Sequence, residues 1–199
     1  CARWGPAHAK AHPWQAGPVM RDLGQLTDDE WLDAFVSQWH LLADLSFSDL
    51  VLWKPLSEEG DVFACTAQVR PVTGPTALEE DIVGELIEFE PDHQVTVAFI
   101  THAIAETSDN EIGAGIPVDV WAIPVLRHDH PIAVIERHTN QMGMRATGAL
   151  EENFIEAAEI LTQMLMRGEF PLVTPSDKAL APRAADGVLR VQPDGVISF

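Results

Sequence analysis

Apolar side chains recur along this chain with two periods, and the change from one to the other divides it into elements. From residue 27 to residue 43 or 44, Trp31, Phe35, Trp39 and Leu42 are spaced by four, four and three, the stripe of one helix face. Thr27 followed by Glu30 is a capping box, in which hydroxyl and carboxylate each satisfy a backbone N–H at the helix start. Residues 46–49 read as a turn. Residues 50–53 form a short buried strand that Pro55 closes. A loop over 57–61, with Gly60 supplying the unusual backbone angles, leads into a strand over 62–69. Alternation there puts Val62, Ala64, Thr66 and Gln68 on one side and Phe63, Cys65, Ala67 and Val69 on the other. Pro71, Gly74 and Pro75 end the pairing.

The middle of the chain gives weaker patterns. Ile82, Leu86 and Phe89 stand at helical spacing and predict a short helix within 77–92, although Gly84 and Pro91 work against it. Residues 95–100 alternate as a strand does. Residues 108–115 read as a polar loop bearing Gly113 and Gly115. Residues 118–126 predict a strand that Pro124 bends or places at an edge. The turn 127–130 joins it to a strand over 131–137, which makes a hairpin. After Gly148, Leu150, Phe154, Ala157, Leu161 and Met164 repeat at four, three, four and three. They predict a helix over 149–166 with an a/d seam of two heptads. That seam serves either packing on the domain's own sheet or pairing with a second copy. Gly168 and Pro171 end it.

The implied plan has four parts. Residues 1–26 are an arm that Trp4 and Trp14 can anchor, and 27–170 are a domain. Residues 171–186 are a linker, and 187–199 read as strand, Pro-Asp-Gly turn and strand, the truncated start of a second domain. The domain is α+β: an antiparallel sheet with helices packed on one face, an arrangement that leaves room for a small-molecule pocket.

Composition narrows the function. Of 199 residues 46% are apolar and 22% charged, the globular range. The net charge of −19 opposes direct nucleic-acid or membrane-surface binding. No apolar run is long enough to span a bilayer, and no leader is visible, so a cytoplasmic location is expected. No Lys or Arg occurs between Arg70 and Arg127, while seven carboxylates crowd residues 79–92, a solvated face. With Cys65 the one internal cysteine, neither a disulfide framework nor a thiolate zinc site can be built. In mid-strand Cys65 reads as a small apolar residue, with no neighbouring cation to activate it. His128 and His130 flank Asp129 in a turn, but His138 is a strand length away, so no metal site is assigned. Gly113 and Gly115 do not open a helix after a strand, which excludes a dinucleotide fingerprint. No catalytic motif is present.

Two stretches, residues 39–50 (WHLLADLSFSDL) and 67–76 (AQVRPVTGPT), resemble the N-terminal sensor region of a family of cytosolic actinobacterial histidine kinases. Arg137-His138, Gly168-x-Phe170-Pro171 and Pro182-Arg183-x-x-Asp186-Gly187 followed by Gly195-Val196 extend the resemblance from about residue 26 to the end. Such proteins are built as a GAF domain, a PAS domain and a histidine kinase module. The resemblance implies a GAF-like signal-input domain with its own PAS and kinase domains as partners. It further implies a homodimer and a response regulator that receives the phosphoryl group. ATP would bind only in the kinase module, outside this chain. Some relatives have a second Cys near the position of Val69, which this chain lacks. On this reading Gln68, Arg70, His102, Trp121 and Arg137 are the candidate ligand-binding residues. A cyclic dinucleotide is one ligand whose phosphates Arg70 and Arg137 could meet. The alternative is a ligand-free dimerisation and coupling module, and an open cavity against a filled one discriminates between the two.

Overall fold

Thr27 opens the first helix as its capping box requires. Its hydroxyl accepts from the Glu30 N–H at 3.2 Å, and the Glu30 carboxylate accepts from the Thr27 N–H at 2.9 Å. In the computed structural model, which describes residues 26–112, 116–143, 148–170, 182–189, 191–192 and 194–197, this helix is α1 (Asp28–Gln38). A second helix, α2 (His40–Ser46), follows Trp39, so the single helix expected over this stretch is two. The Ser37 hydroxyl donates to the Ala34 carbonyl at 2.6 Å and competes for an acceptor in the last turn of α1, a device that bends helices. The apolar stripe survives the break. Trp31, Phe35, Trp39 and Leu42 are all buried, with Phe35 against both neighbouring indoles.

β1 (Ser48–Pro55) and β2 (Val62–Val69) pair antiparallel. Leu52 lies opposite Ala67 but Trp53 lies opposite Cys65, which leaves Thr66 as the extra residue of a bulge. The bulge inverts the expected alternation. Phe63 and Cys65 face one side of the sheet with Val51 and Trp53, while Ala67 and Val69 face the other with Leu50 and Leu52. The acidic stretch forms no helix. Its described regular element is β3 (Leu86–Glu88), a short strand added to β2, because Glu85 and Gly84 exchange backbone hydrogen bonds with Cys65.

The strand expected over 95–100 is a helix, α3 (Gln94–Thr101), capped by the His93 side chain on the Val95 N–H. Its alternation suggested a strand, but Val95, Ala98 and Phe99 stand at helical spacing and are buried together. The expected loop at 108–115 is strand as far as Ile112, the end of β4 (Ala105–Ile112), and residues 113–115 lie outside the described set. β5 (Ile116–Arg127) and β6 (His130–Asn140) form the expected hairpin, joined by His128 and Asp129, both at positive φ. Pro124 is tolerated because β4 pairs with β5 only as far as Ala122.

The strands are ordered β3-β2-β1-β6-β5-β4, and every pairing is antiparallel. α1, α2 and a last long helix, α4 (Ala149–Met166), gather on one face over Leu50, Leu52, Ile123, Val125 and Ile135. α3 lies on the opposite face over Val51, Trp53, Phe63 and Val134. α4 buries the line Ala158, Thr162 and Leu165, and its heptad seam is half-covered beside that line, with Leu150 56% exposed. The helix closes in a Schellman turn: Gly168 N–H to Leu165 C=O and Glu169 N–H to Met164 C=O. Within the expected linker, residues 184–186 form a 3-10 turn, and buried Ala184 joins the α2 side of the core. Beyond it Val191 bridges Ile197. The N-terminal arm lies outside the described residues except for Leu26, which is buried.

Candidate functional site

The five residues nominated from sequence occupy three separate places. Gln68 and Arg70, at the end of β2, act on one loop. Arg70 donates through Nε to the Leu78 carbonyl at 3.0 Å and through Nη2 to the Glu79 and Glu80 carbonyls at 3.1 and 2.8 Å. The Gln68 amide donates to the Glu80 carbonyl and accepts from the Ile82 N–H. Two buried residues that sequence reading passed over hold the root of the same loop. Asp49 accepts from the Thr76 hydroxyl and the Ala77 N–H, and Asn140 donates to the Thr76 carbonyl. These side chains turn residues 76–82 into a strap fastened across the sheet edge. Main-chain carbonyls take up the Nε and Nη2 donors of Arg70.

Trp121 and Arg137 do come together. They are cross-strand partners of β5 and β6 on the α4 face, and the guanidinium carbon lies 4.2 Å from the centre of the Trp121 ring. Burial pulls the Arg137 guanidinium below its ordinary value, while the negative charges of Glu159 and Asp119 oppose that pull. Its Nε–H has no hydrogen-bond partner, and among the described residues no carboxylate forms an ion pair with it. The pair floors an open cleft of about 600 Å³ whose far wall is α4. From that helix come Glu156, Glu159, Ile160, Thr162, Gln163 and Arg167. Sequence reading missed these residues. The spacing of 156, 160, 163 and 167, one further stripe beside the heptad seam, was the available signal.

His102 caps the end of α3 at positive φ, is exposed, and lines a different depression beside His130 and Lys54. Arg70 likewise lines its own small cleft, with His40 and Arg183, and shares no wall with Arg137. The joint grip on a cyclic dinucleotide expected of Arg70 and Arg137 is therefore not assembled in this fold.

The α3 face carries a second buried polar group. Burial alone would raise the Glu136 carboxyl, but His138, the Trp53 N–H at 2.7 Å and His93 together hold it below the usual carboxylate range. His138 Nε2 is 3.4 Å from Glu136, within ion-pair distance but without hydrogen-bond geometry. Among the described residues no three of His, Cys, Asp and Glu converge to hold a metal ion. None of the described helices is long and apolar enough to cross a membrane.

Comparisons with known proteins agree with this architecture. A family model described as "Histidine kinase PdtaS, GAF domain" matches residues 22–158. The chain is 36% identical over 175 residues to the sensor histidine kinase PdtaS of Mycolicibacterium smegmatis, a match covering 84% of this chain and 34% of that protein. To PdtaS of Mycobacterium tuberculosis it is 35% identical over 179 residues, with the same two coverages of 84% and 34%. The chain thus spans about a third of the length of these curated relatives. A solved sensor region of a sensor histidine kinase superposes with a TM-score of 0.67 at 34% identity, covering 85% of this chain and 58% of that one.

Proposed function

The chain belongs to the family of GAF domains of the histidine kinase PdtaS, and from that premise we propose that it binds a small ligand in the cleft beneath α4 and relays the binding along that helix. One observation carries the reading: the cleft is open and lies between the β5–β6 hairpin and α4. Its floor is the β5–β6 hairpin. Its other wall is α4, the last long helix among the described residues, after which on the proposed plan the chain leaves the domain. A ligand that draws α4 toward the floor therefore changes the exit of the chain, which is the differential contact that any population shift requires.

The wider setting is part of the same proposal. Residues 27–170 are the input domain, 171–186 the linker and 187–199 the start of a PAS domain. A kinase module beyond it binds ATP, phosphorylates its own histidine and passes the phosphoryl group to a response regulator. The protein works as a cytoplasmic homodimer. Support comes from the relatives, which are sensor histidine kinases. Of the five candidate residues, Trp121 and Arg137 are assigned to the ligand, and Gln68 and Arg70 to the strap.

A second reading, a ligand-free coupling module, has its own observation in favour. α4 leaves Leu150 56% and Ile160 41% exposed, apolar surface that a partner helix could cover. Native mass spectrometry of the intact protein, purified without added ligand, separates the readings. The proposal expects a bound small molecule that Arg137→Gln releases; a protein at its bare sequence mass supports the coupling module.

A further inference from the structure

Arg137 is the unusual feature of this surface. The chain carries a large excess of carboxylates, yet among the described residues none forms an ion pair with this guanidinium. A half-buried cation that feels Glu159 and Asp119 only through space, with no direct ion pair, is costly, and proteins commonly relieve that cost by pairing it. Here one face of the guanidinium is occupied by Trp121, and Nε–H, itself shut off from solvent, has no acceptor, which leaves the Nη edge to meet the cleft. The other cation of the cleft, Arg167, is engaged by Glu169 at 2.9 Å. The Thr162 hydroxyl is spent on the Ala158 carbonyl. Ile104, Trp121 and Ile160 supply apolar wall, and Glu156 and Glu159 supply negative charge at the mouth.

We propose that the cleft takes a small monocarboxylate with a flat apolar body, its carboxylate on the Nη edge of Arg137 and its body against Trp121 and Ile160. This rests on the reading of the cleft as the ligand site. A guanidinium edge matches a carboxylate with two parallel hydrogen bonds, whereas the single available cation is a poor match for a phosphate dianion. The two glutamates repel a dianion more than a monoanion and so set the preference for one charge. The apolar walls select for the body.

Benzoate, benzamide and inorganic phosphate are the probes, titrated calorimetrically into the intact protein. The expected result is saturable one-to-one binding of benzoate, with benzamide about tenfold weaker or worse because it lacks the charge. Arg137→Gln abolishes benzoate binding. Glu159→Gln removes a like charge and tightens it about two- to threefold at low salt, a gain that misfolding cannot produce. The proposal is overturned if benzamide binds as well as benzoate or if phosphate binds more tightly. It is also overturned if Glu159→Gln leaves the affinity unchanged, or if no benzoate heat is seen up to about 10 mM. If benzoate fails while the purified protein still carries a small molecule that Arg137→Gln releases, the ligand class falls and the ligand-input reading stands. If neither is seen, both fall.

Discussion

At the scale of single residues, composition announced which side chains were unusual, and geometry decided what they do. Arg70 stood out as the last cation before a long acidic tract, and that was correct as far as it went. Its donors point at three main-chain carbonyls, a use that a side-chain code cannot reveal because carbonyls belong to every residue. Cys65 was legible for the opposite reason: its place in an apolar strand predicted an inert thiol. Burial, reinforced by the Asp81 and Glu85 carboxylates, pushes that thiol up to about 11 from an ordinary value of 9.0. The folded state therefore holds its proton where the unfolded chain releases it. Stability from this group is complete below pH 9 and is lost as the pH rises through about 11. In urea titrations the stability gap between the wild-type protein and Cys65→Ala should accordingly be wider at pH 8 than at pH 10.5. A gap that stays constant over that range would contradict the assignment.

At the scale of elements, the long last helix and the fenced strands held, while the weakly patterned middle did not. The helix over Ala149–Met166 and the strand Val62–Val69 match their sequence boundaries, because a long stripe or a fenced run of strand formers leaves few alternatives. α3 was misread because residues 95–100 alternate as a strand does, while burial of Val95, Ala98 and Phe99 on one face decides for a helix. The bulge at Thr66 was invisible, since no Gly marks it. Its effect is to reverse which residues of β2 face which core. Gly168 was legible as a helix stop, but its second task was not. A Cβ there would stand 2.9 Å from the Leu126 carbonyl, so the exit of α4 rests directly on β5. Gly168→Ala should destabilise the fold by about 1–3 kcal/mol, backbone strain plus this contact, as read by chemical denaturation. Gly84→Ala, also at a positive φ (98° against 69° at Gly168) but with nothing within 4 Å, should cost less. Equal losses would mean that the α4–β5 contact carries no stability.

At the scale of the whole molecule, the sheet sorts the chemistry into two faces. The α3 face holds Glu136, His138 and the strap root in a buried polar group. The other face pairs Trp121 with Arg137 under α4. The sequence supplied both members of that pair but not their meeting, because cross-strand register depends on a hairpin turn and on bulges that no local pattern specifies. The central claim is that this cleft governs the output of the intact kinase. It is tested without knowing the ligand by comparing autophosphorylation of the full-length protein with that of two cleft variants. Arg137→Gln removes the charge, and Gln163→Trp, at an exposed position on α4, fills the space. The account predicts that both variants, folded and binding ATP as before, change the phosphohistidine level by about fivefold or more, the usual size of coupling between distant sites. Levels equal to wild type in both variants would contradict it.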